Sequence, residues 1–211
     1  LMPLRPHQID ALDAMANNPK GQVIVPTGGG KTMCMIEDAK RVFRTQEVAT
    51  IVVVAPRILL AEQLCSEFLE TGEFNDVRVM HVHSGETEHF SSTKVSDIRY
   101  HNFLCYESNA NQIIFTTYHS LHRVQESNIV VDVVYFDEAH NSVQRNFIGP
   151  VEHFSWDAER SYFFTATPKH SLTPFKAGMN DSDIFGQVIC NVPAPELVKQ
   201  GYILPPKVEV Y

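Results

Sequence analysis

The stretch Val25-Pro26-Thr27-Gly28-Gly29-Gly30-Lys31-Thr32 constrains this chain more than any other. A short apolar run, Gln22 to Val25, precedes it and reads as a buried strand; Met33 to Arg44 follows and reads as a helix. Strand, glycine-rich turn, Lys-Thr and helix is the layout of a phosphate-binding loop. Glycines lack the Cβ that would keep backbone N–H groups away from an anion. The helix start adds unpaired N–H groups and the positive end of a dipole. Thr27, Gly28, Gly29 and Gly30 then form the cradle, Lys31 reaches terminal phosphates as a point charge, and Thr32 offers its hydroxyl to Mg²⁺. The general pattern has a glycine where this chain has Val25.

The rest of the chain alternates strand and helix signals. Pro6 suits a helix start, and Ile9, Leu12 and Met15 give that helix an apolar face. Ala49 to Val54 is a continuous apolar run, as in strands covered on both faces of a parallel sheet, and Leu59 to Glu70 reads as the next helix. Asn75 to His83, Gln112 to Thr116, Ile129 to Phe136 and Arg160 to Thr165 are further strands. Residues 85–110 mix polar and aromatic residues and give no clear element. At least six strands alternating with helices predict an α/β fold with a mostly parallel central sheet and helices on both faces. Ligands of such sheets bind at the carboxyl ends of the strands, which is where Arg57 falls.

The most apolar strand runs into Asp137-Glu138-Ala139-His140. An acidic pair there complements the glycine-rich loop: Asp137 suits a Mg²⁺ ligand, and Glu138 suits the base that orients and deprotonates an attacking water. Alone, the pair would serve equally well to cap the next helix. The amide of Gln8 has the donor and acceptor that match the edge of adenine.

Taken together and in order, these segments resemble the first RecA-like domain of a superfamily 2 helicase of the DEAD/H-box type. Arg5-Pro6-His7-Gln8 is similar to the Q motif, Pro26 to Thr32 to motif I, and Ala55-Pro56-Arg57 with Gln63 to motif Ia. Thr116-Thr117-Tyr118 is similar to a later nucleic-acid-binding motif, Asp137-Glu138-Ala139-His140 to motif II, and Thr165-Ala166-Thr167 to motif III. That superfamily tolerates a residue other than glycine at Val25. The resemblance implies an ATP-dependent motor with ATP and Mg²⁺ as cofactors. Arg5 and Gln8 would read adenine; Gly28, Gly30, Lys31 and Thr32 would hold phosphates and Mg²⁺. Pro56, Arg57, Thr116 and Thr117 would touch a bound strand, and His140, Thr165 and Thr167 would couple the two sites. The end of the chain, Phe185-Gly186 and then Glu196 to Pro206, is similar to restriction-type and phage DNA helicases, which favours DNA over RNA as partner. In that reading residues 1–211 are one ATP-binding domain, and 184–211 lead toward a second RecA-like domain that would complete the ATP site. The alternatives are a motor within a restriction-type complex, an RNA helicase, and a nucleotide-gated binding module without turnover.

Composition narrows the classes further. Of 211 residues, 44% are hydrophobic, enough for a large core, and a net charge of −8 argues against a chain coated in nucleic acid while leaving room for a local basic groove. Cys34, Cys65, Cys105 and Cys190 form no CxxC pair, which argues against a zinc site and suits buried thiols in a reducing compartment. His81 and His83 read as strand-face residues, with no third ligand at obvious spacing. No apolar run is long enough to span a membrane, and the start has no signal-peptide form, so the expected location is the cytoplasm.

Overall fold

Along Thr50–Ala55 (β2), Ile51, Val53 and Ala55 pack into one apolar cluster, while Val52 and Val54 pack into another. A strand has a period of two, so a continuous run of apolar residues needs a covered face on each side. In the computed structural model, which describes residues 3–205, that requirement is met by a single sheet between two helical layers. The other strands are β1 (Lys20–Ile24), β3 (Arg78–Val82), β4 (Phe90–Ser91), β5 (Gln112–Thr117), β6 (Val133–Phe136), β7 (Arg160–Thr165) and β8 (Val188–Asn191). Their spatial order is β4-β3-β5-β2-β6-β7-β1-β8, and all seven pairings are parallel. Every carboxyl end therefore opens on one edge of the sheet.

Helices α1 (Pro6–Asn17), α2 (Lys31–Thr45) and α3 (Ile58–Glu70) cover one face, packing Met15, Ile36 and Phe68 against Tyr135 and Phe164 of the sheet. Helices α4 (Val95–Glu107), α5 (Leu121–Glu126) and α6 (Ile148–Asp157) cover the other, where Ile98, Val124 and Phe154 join Phe136 and Phe163. Short helices α7 (Ser182–Phe185) and α8 (Ala194–Lys199) follow. Among the described residues, no helix is long and apolar enough to cross a membrane.

This is the expected α/β architecture, with eight strands among the described residues where the sequence predicts at least six. The stretch 85–110 resolves into β4 and α4. β4 has only two residues, and α4 leaves Tyr100, Phe103 and Tyr106 exposed, so neither carries a clear pattern. β6 starts at Val133, not Ile129. Ile129 and Val131 reach the core from a loop, and the carboxylate of Asp132 accepts the Thr50 N–H at 2.8 Å. Of the segment 184–211, residues 206–211 lie outside the described part.

At the opposite end of the strands, a buried polar cluster joins four elements. Arg160 donates to both carboxylate oxygens of Asp38, at 3.0 and 3.1 Å, and to the Tyr162 hydroxyl at 2.8 Å. Tyr135 also donates to Asp38, and the Tyr162 hydroxyl lies 2.6 Å from the carbonyls of Met15 and Asn18. Asp38 is 1% exposed, so its charge depends on this arginine. Removing one partner of a buried pair strands the other charge, which costs about 3–5 kcal/mol. Arg160→Met should destabilise the fold by that amount in urea unfolding; a loss under about 1 kcal/mol would mean the pair is of the weak, solvent-screened kind.

Candidate functional site

The loop after β1 is shaped by α1. Its first turn sends three side chains to three consecutive glycine carbonyls. Arg5 donates to Gly28 O at 3.2 Å, His7 Nε2 to Gly29 O at 2.6 Å, and Gln8 Nε2 to Gly30 O at 2.9 Å. Gln8 also accepts the Arg5 N–H at 2.8 Å, and it is only 4% exposed. Gly28 and Gly30 have φ of 81° and 80°, the left-handed region that disfavours side chains. A Cβ on Gly30 would sit 2.3 Å from Gln8 Nε2, so the close approach of α1 requires glycine there as well. The Arg5 guanidinium lies 4.8 Å from the centre of the Tyr202 ring, which closes the outer side of this corner.

Lys31 is the first residue of α2. Its ammonium is 2.9 Å from Asp137 Oδ1 and hydrogen-bonded to Glu138 Oε1. Burial works against the charge of Lys31, but the two carboxylates outweigh it and raise its pKa. Burial likewise raises the pKa of Asp137, partly offset by Lys31. Asp137 Oδ1, in a 4% exposed residue, has the Lys31 ammonium as its ion-pair partner and room for a second lone-pair contact. Such an oxygen suits a hard divalent cation or its water ligand.

Glu138 adopts φ 48° and ψ 54°, a left-handed conformation that costs a non-glycine residue roughly 1–3 kcal/mol. The surroundings hold it there. Asn141 donates to Glu138 O at 2.8 Å and Tyr118 to Asp137 O at 2.7 Å. His140 Nδ1 lies 2.9 Å from Thr165 Oγ1, which in turn accepts the Thr167 N–H at 3.1 Å. His140 Nδ1 also lies 3.7 Å from Glu138 Oε2, so the ends of β1, β6 and β7 bring together Arg5, Gln8, the glycine loop, Lys31, Asp137, Glu138, His140, Thr165 and Thr167, with Thr32 next to Lys31 in α2.

The expected strand-contacting residues divide. Pro56 and Arg57 follow β2, and Arg57 is exposed. Thr116 and Thr117 are 0% and 3% exposed, and the Thr116 hydroxyl donates to Val82 O at 2.7 Å. The Thr116 hydroxyl thus ties β5 to β3, and both threonine side chains are buried within the sheet. The exposed residue of that turn is His119, edge-on to Phe147 at 4.7 Å. Sequence reasoning also missed His7 and Tyr118, whose importance lies in contacts with segments distant in the chain.

Residues 1–170 match the family described as type III restriction enzyme, res subunit (ResIII). The chain belongs to this family. No curated protein matches it significantly. Among solved structures, it is similar to a nuclease-deletion mutant of the type ISP restriction-modification enzyme LlaGI in complex with a DNA substrate mimic (TM-score 0.78, 20% identity). It is also similar to the ATP-dependent type ISP enzyme LlaBIII bound to DNA (0.74, 19%) and to the UvsW helicase of bacteriophage T4 (0.62, 18%). The matches cover 95%, 95% and 89% of this chain, and 21%, 16% and 60% of those proteins. The chain therefore has the RecA-like fold of a helicase-family motor domain and spans only part of those relatives' length.

For this family member, the carbonyl-anchoring side chains should govern how well the loop is pre-shaped. One intramolecular hydrogen bond contributes about 0.5–1.5 kcal/mol. His7→Ala should therefore lower folding stability by about that amount in urea unfolding, and the less ordered loop should weaken nucleoside triphosphate binding by about two- to tenfold in calorimetric titration. Unchanged affinity would remove His7 from the loop's support.

Proposed function

We propose that the chain is the first motor domain of an ATP-dependent DNA helicase or translocase. The observation that carries this reading is Lys31 held between Asp137 and Glu138. A cation, an acidic metal-type ligand and a candidate base sit together at the carboxyl ends of β1 and β6. The adenine would lie against Arg5 and Gln8, where Gln8 keeps one amide N–H and one lone pair beyond those already engaged. Phosphates would lie on the glycine loop. Thr32 and Asp137 would hold Mg²⁺, which supplies charge neutralisation at the phosphate oxygens.

The chain's own groups then act as follows. Triphosphate oxygens compete with the two carboxylates for the Lys31 ammonium. As Lys31 turns to phosphate, Glu138 loses its ion-pair partner and is free to orient a water and accept its proton. The Glu138–His140–Thr165–Thr167 connection would report that change along the strand ends. Arg57 and Pro56 would meet the backbone of a bound strand, with Thr116 and Thr117 supporting the turn behind it. A second RecA-like domain would close the cleft, exclude water and bring an arginine to the transition state. Free cysteines suit the reducing cytoplasm in which such a motor would work.

Membership of the res-subunit family favours one specialised form of this reading, in which the motor serves a restriction complex. Both forms require turnover, and a nucleotide-gated binding module does not. The test is steady-state ATP hydrolysis by the full-length protein with and without DNA. Turnover should rise with DNA, and Glu138→Gln should retain ATP binding while losing turnover, because the amide keeps the shape but cannot take a proton. Undiminished hydrolysis in Glu138→Gln would overturn the assignment of the base; absence of any DNA-stimulated turnover in the wild type would favour the binding module.

Nucleic-acid affinity offers a second check. With a net charge of −8, only a few phosphate contacts are available, so log K should fall with log salt at a shallow slope. Arg57→Ala should lower affinity and reduce that slope by about one. Identical slopes in wild type and variant would place the strand elsewhere.

A further inference from the structure

We propose that Cys65, His81 and His89 form a binding site for a borderline-soft divalent cation of the zinc type, at the β4 edge of the sheet and away from the glycine loop. In sequence, His81 has no third ligand at readable spacing. The fold supplies it: Cys65 comes from α3, His81 from β3, and His89 from the loop before β4. Their ligand atoms all lie within 4.8 Å of one another, and Cys65 Sγ is 4.0 Å from His89 Nδ1. Zinc–sulfur and zinc–nitrogen bonds of about 2.3 and 2.0 Å set a tetrahedral S···N edge of about 3.6 Å. The S···N edge of 4.0 Å therefore closes by a few tenths of an ångström, and no pair of the set closes by more than about 1.5 Å.

A second observation points to a ligand. His81 is 1% exposed, and its Nε2 has no hydrogen-bond partner. The neighbouring ring explains why. Gly85 N–H donates to His83 Nδ1 at 3.0 Å, so His83 carries its proton on Nε2 and donates it to His81 Nδ1 at 3.1 Å. His81 is left with a buried Nε2–H and no acceptor. A cation at Nε2 reverses this chain: His81 becomes protonated at Nδ1, and His83 accepts from it and carries its own proton on Nδ1. Metal-bound imidazoles commonly have such an acceptor behind them. The exchange is proton-neutral for the two rings, releases one proton from the Cys65 thiol, and breaks the Gly85 contact.

The site is open to ions and held in shape. It lines a cleft of about 750 Å³ whose walls carry Glu62, Glu70, Glu86 and Glu88. Glu62 lies one helical turn before Cys65 and can supply the fourth ligand, as can water. The Thr87 hydroxyl donates to His89 O and accepts the His89 N–H, at 3.0 and 3.1 Å, which fixes the loop. A bound cation would tie α3, the helix that follows Pro56-Arg57, to β3 and the sheet edge.

The test is titration of Co²⁺ into the reduced, chelator-treated protein. The expected result is one equivalent bound, with a thiolate-to-cobalt charge-transfer band and the visible bands of a four-coordinate ion. Cys65→Ser should lose the charge-transfer band, His89→Ala should weaken binding at least tenfold, and Cys190→Ser should change neither. His89 is half-buried in a loop, so its variant keeps the proposal testable if Cys65→Ser fails to fold. Zn²⁺ should raise the Tm of the wild type and not of His89→Ala, and the Gly85 amide resonance should shift on binding. Absence of a charge-transfer band at one equivalent, or its survival in Cys65→Ser, would overturn the site.

Discussion

The three side chains that hold the carbonyls of Gly28, Gly29 and Gly30 are the contact on which the rest of the site depends. A peptide plane points its carbonyl and the next N–H in opposite directions. Fixing the carbonyls of Gly29 and Gly30 toward α1 therefore fixes the N–H groups of Gly30 and Lys31 toward the opposite side. Those groups lie at the start of α2, where a helix leaves its N–H groups unpaired. The Gly29 N–H is already engaged with Pro26 O at 2.9 Å, which tightens the turn. A loop so anchored does not have to be organised by its ligand, and the entropy of ordering it is met on folding.

Electrostatics sets the second constraint. One ammonium lies against two carboxylates, so the cluster of Lys31, Asp137 and Glu138 carries an excess negative charge in a partly buried place. Such a cluster favours a further cation, and it repels bare phosphate. In the proposed reading, a triphosphate would enter together with a metal ion that offsets the carboxylates, and Lys31 would exchange one anion for another. The left-handed backbone at Glu138 belongs to the same device. Tyr118 and Asn141 clamp the carbonyls on either side of it, so the side chain is aimed by contacts made well away from the carboxylate.

The legible parts of this molecule were those whose meaning lies in adjacent residues. The glycine loop, the acid pair and the apolar run of β2 are local signals, and the α/β class follows from their alternation. What was not legible depends on residues brought together by folding. Asp38 looks like any polar position of a helix until Arg160 and Tyr135 arrive from two strands. His7 is an unremarkable helix residue until Gly29 lies beside it. Thr116 and Thr117 read as a motif, but a motif does not show that both side chains are buried in β5, with the Thr116 hydroxyl on Val82 O of β3. β4 and β8, of two and four residues, are too short to show a period.

The strand order gives the motor its stiffness. β2 and β6 are neighbours, with Val54 opposite Phe136, and the Asp137 N–H donates to Val54 O at 2.8 Å. The acidic pair is thus one rung of the sheet away from Ala55-Pro56-Arg57. On the other side of β2, Tyr118 follows β5 and donates to Asp137 O. These links between the acidic corner and the Ala55-Pro56-Arg57 corner are hydrogen bonds in or beside a buried parallel sheet, in surroundings packed too closely to deform gradually. Within this domain the two corners therefore move as one body. In the proposed reading, a large nucleotide-dependent change would therefore be expressed outside it, as a rotation of this body against whatever closes over the strand ends.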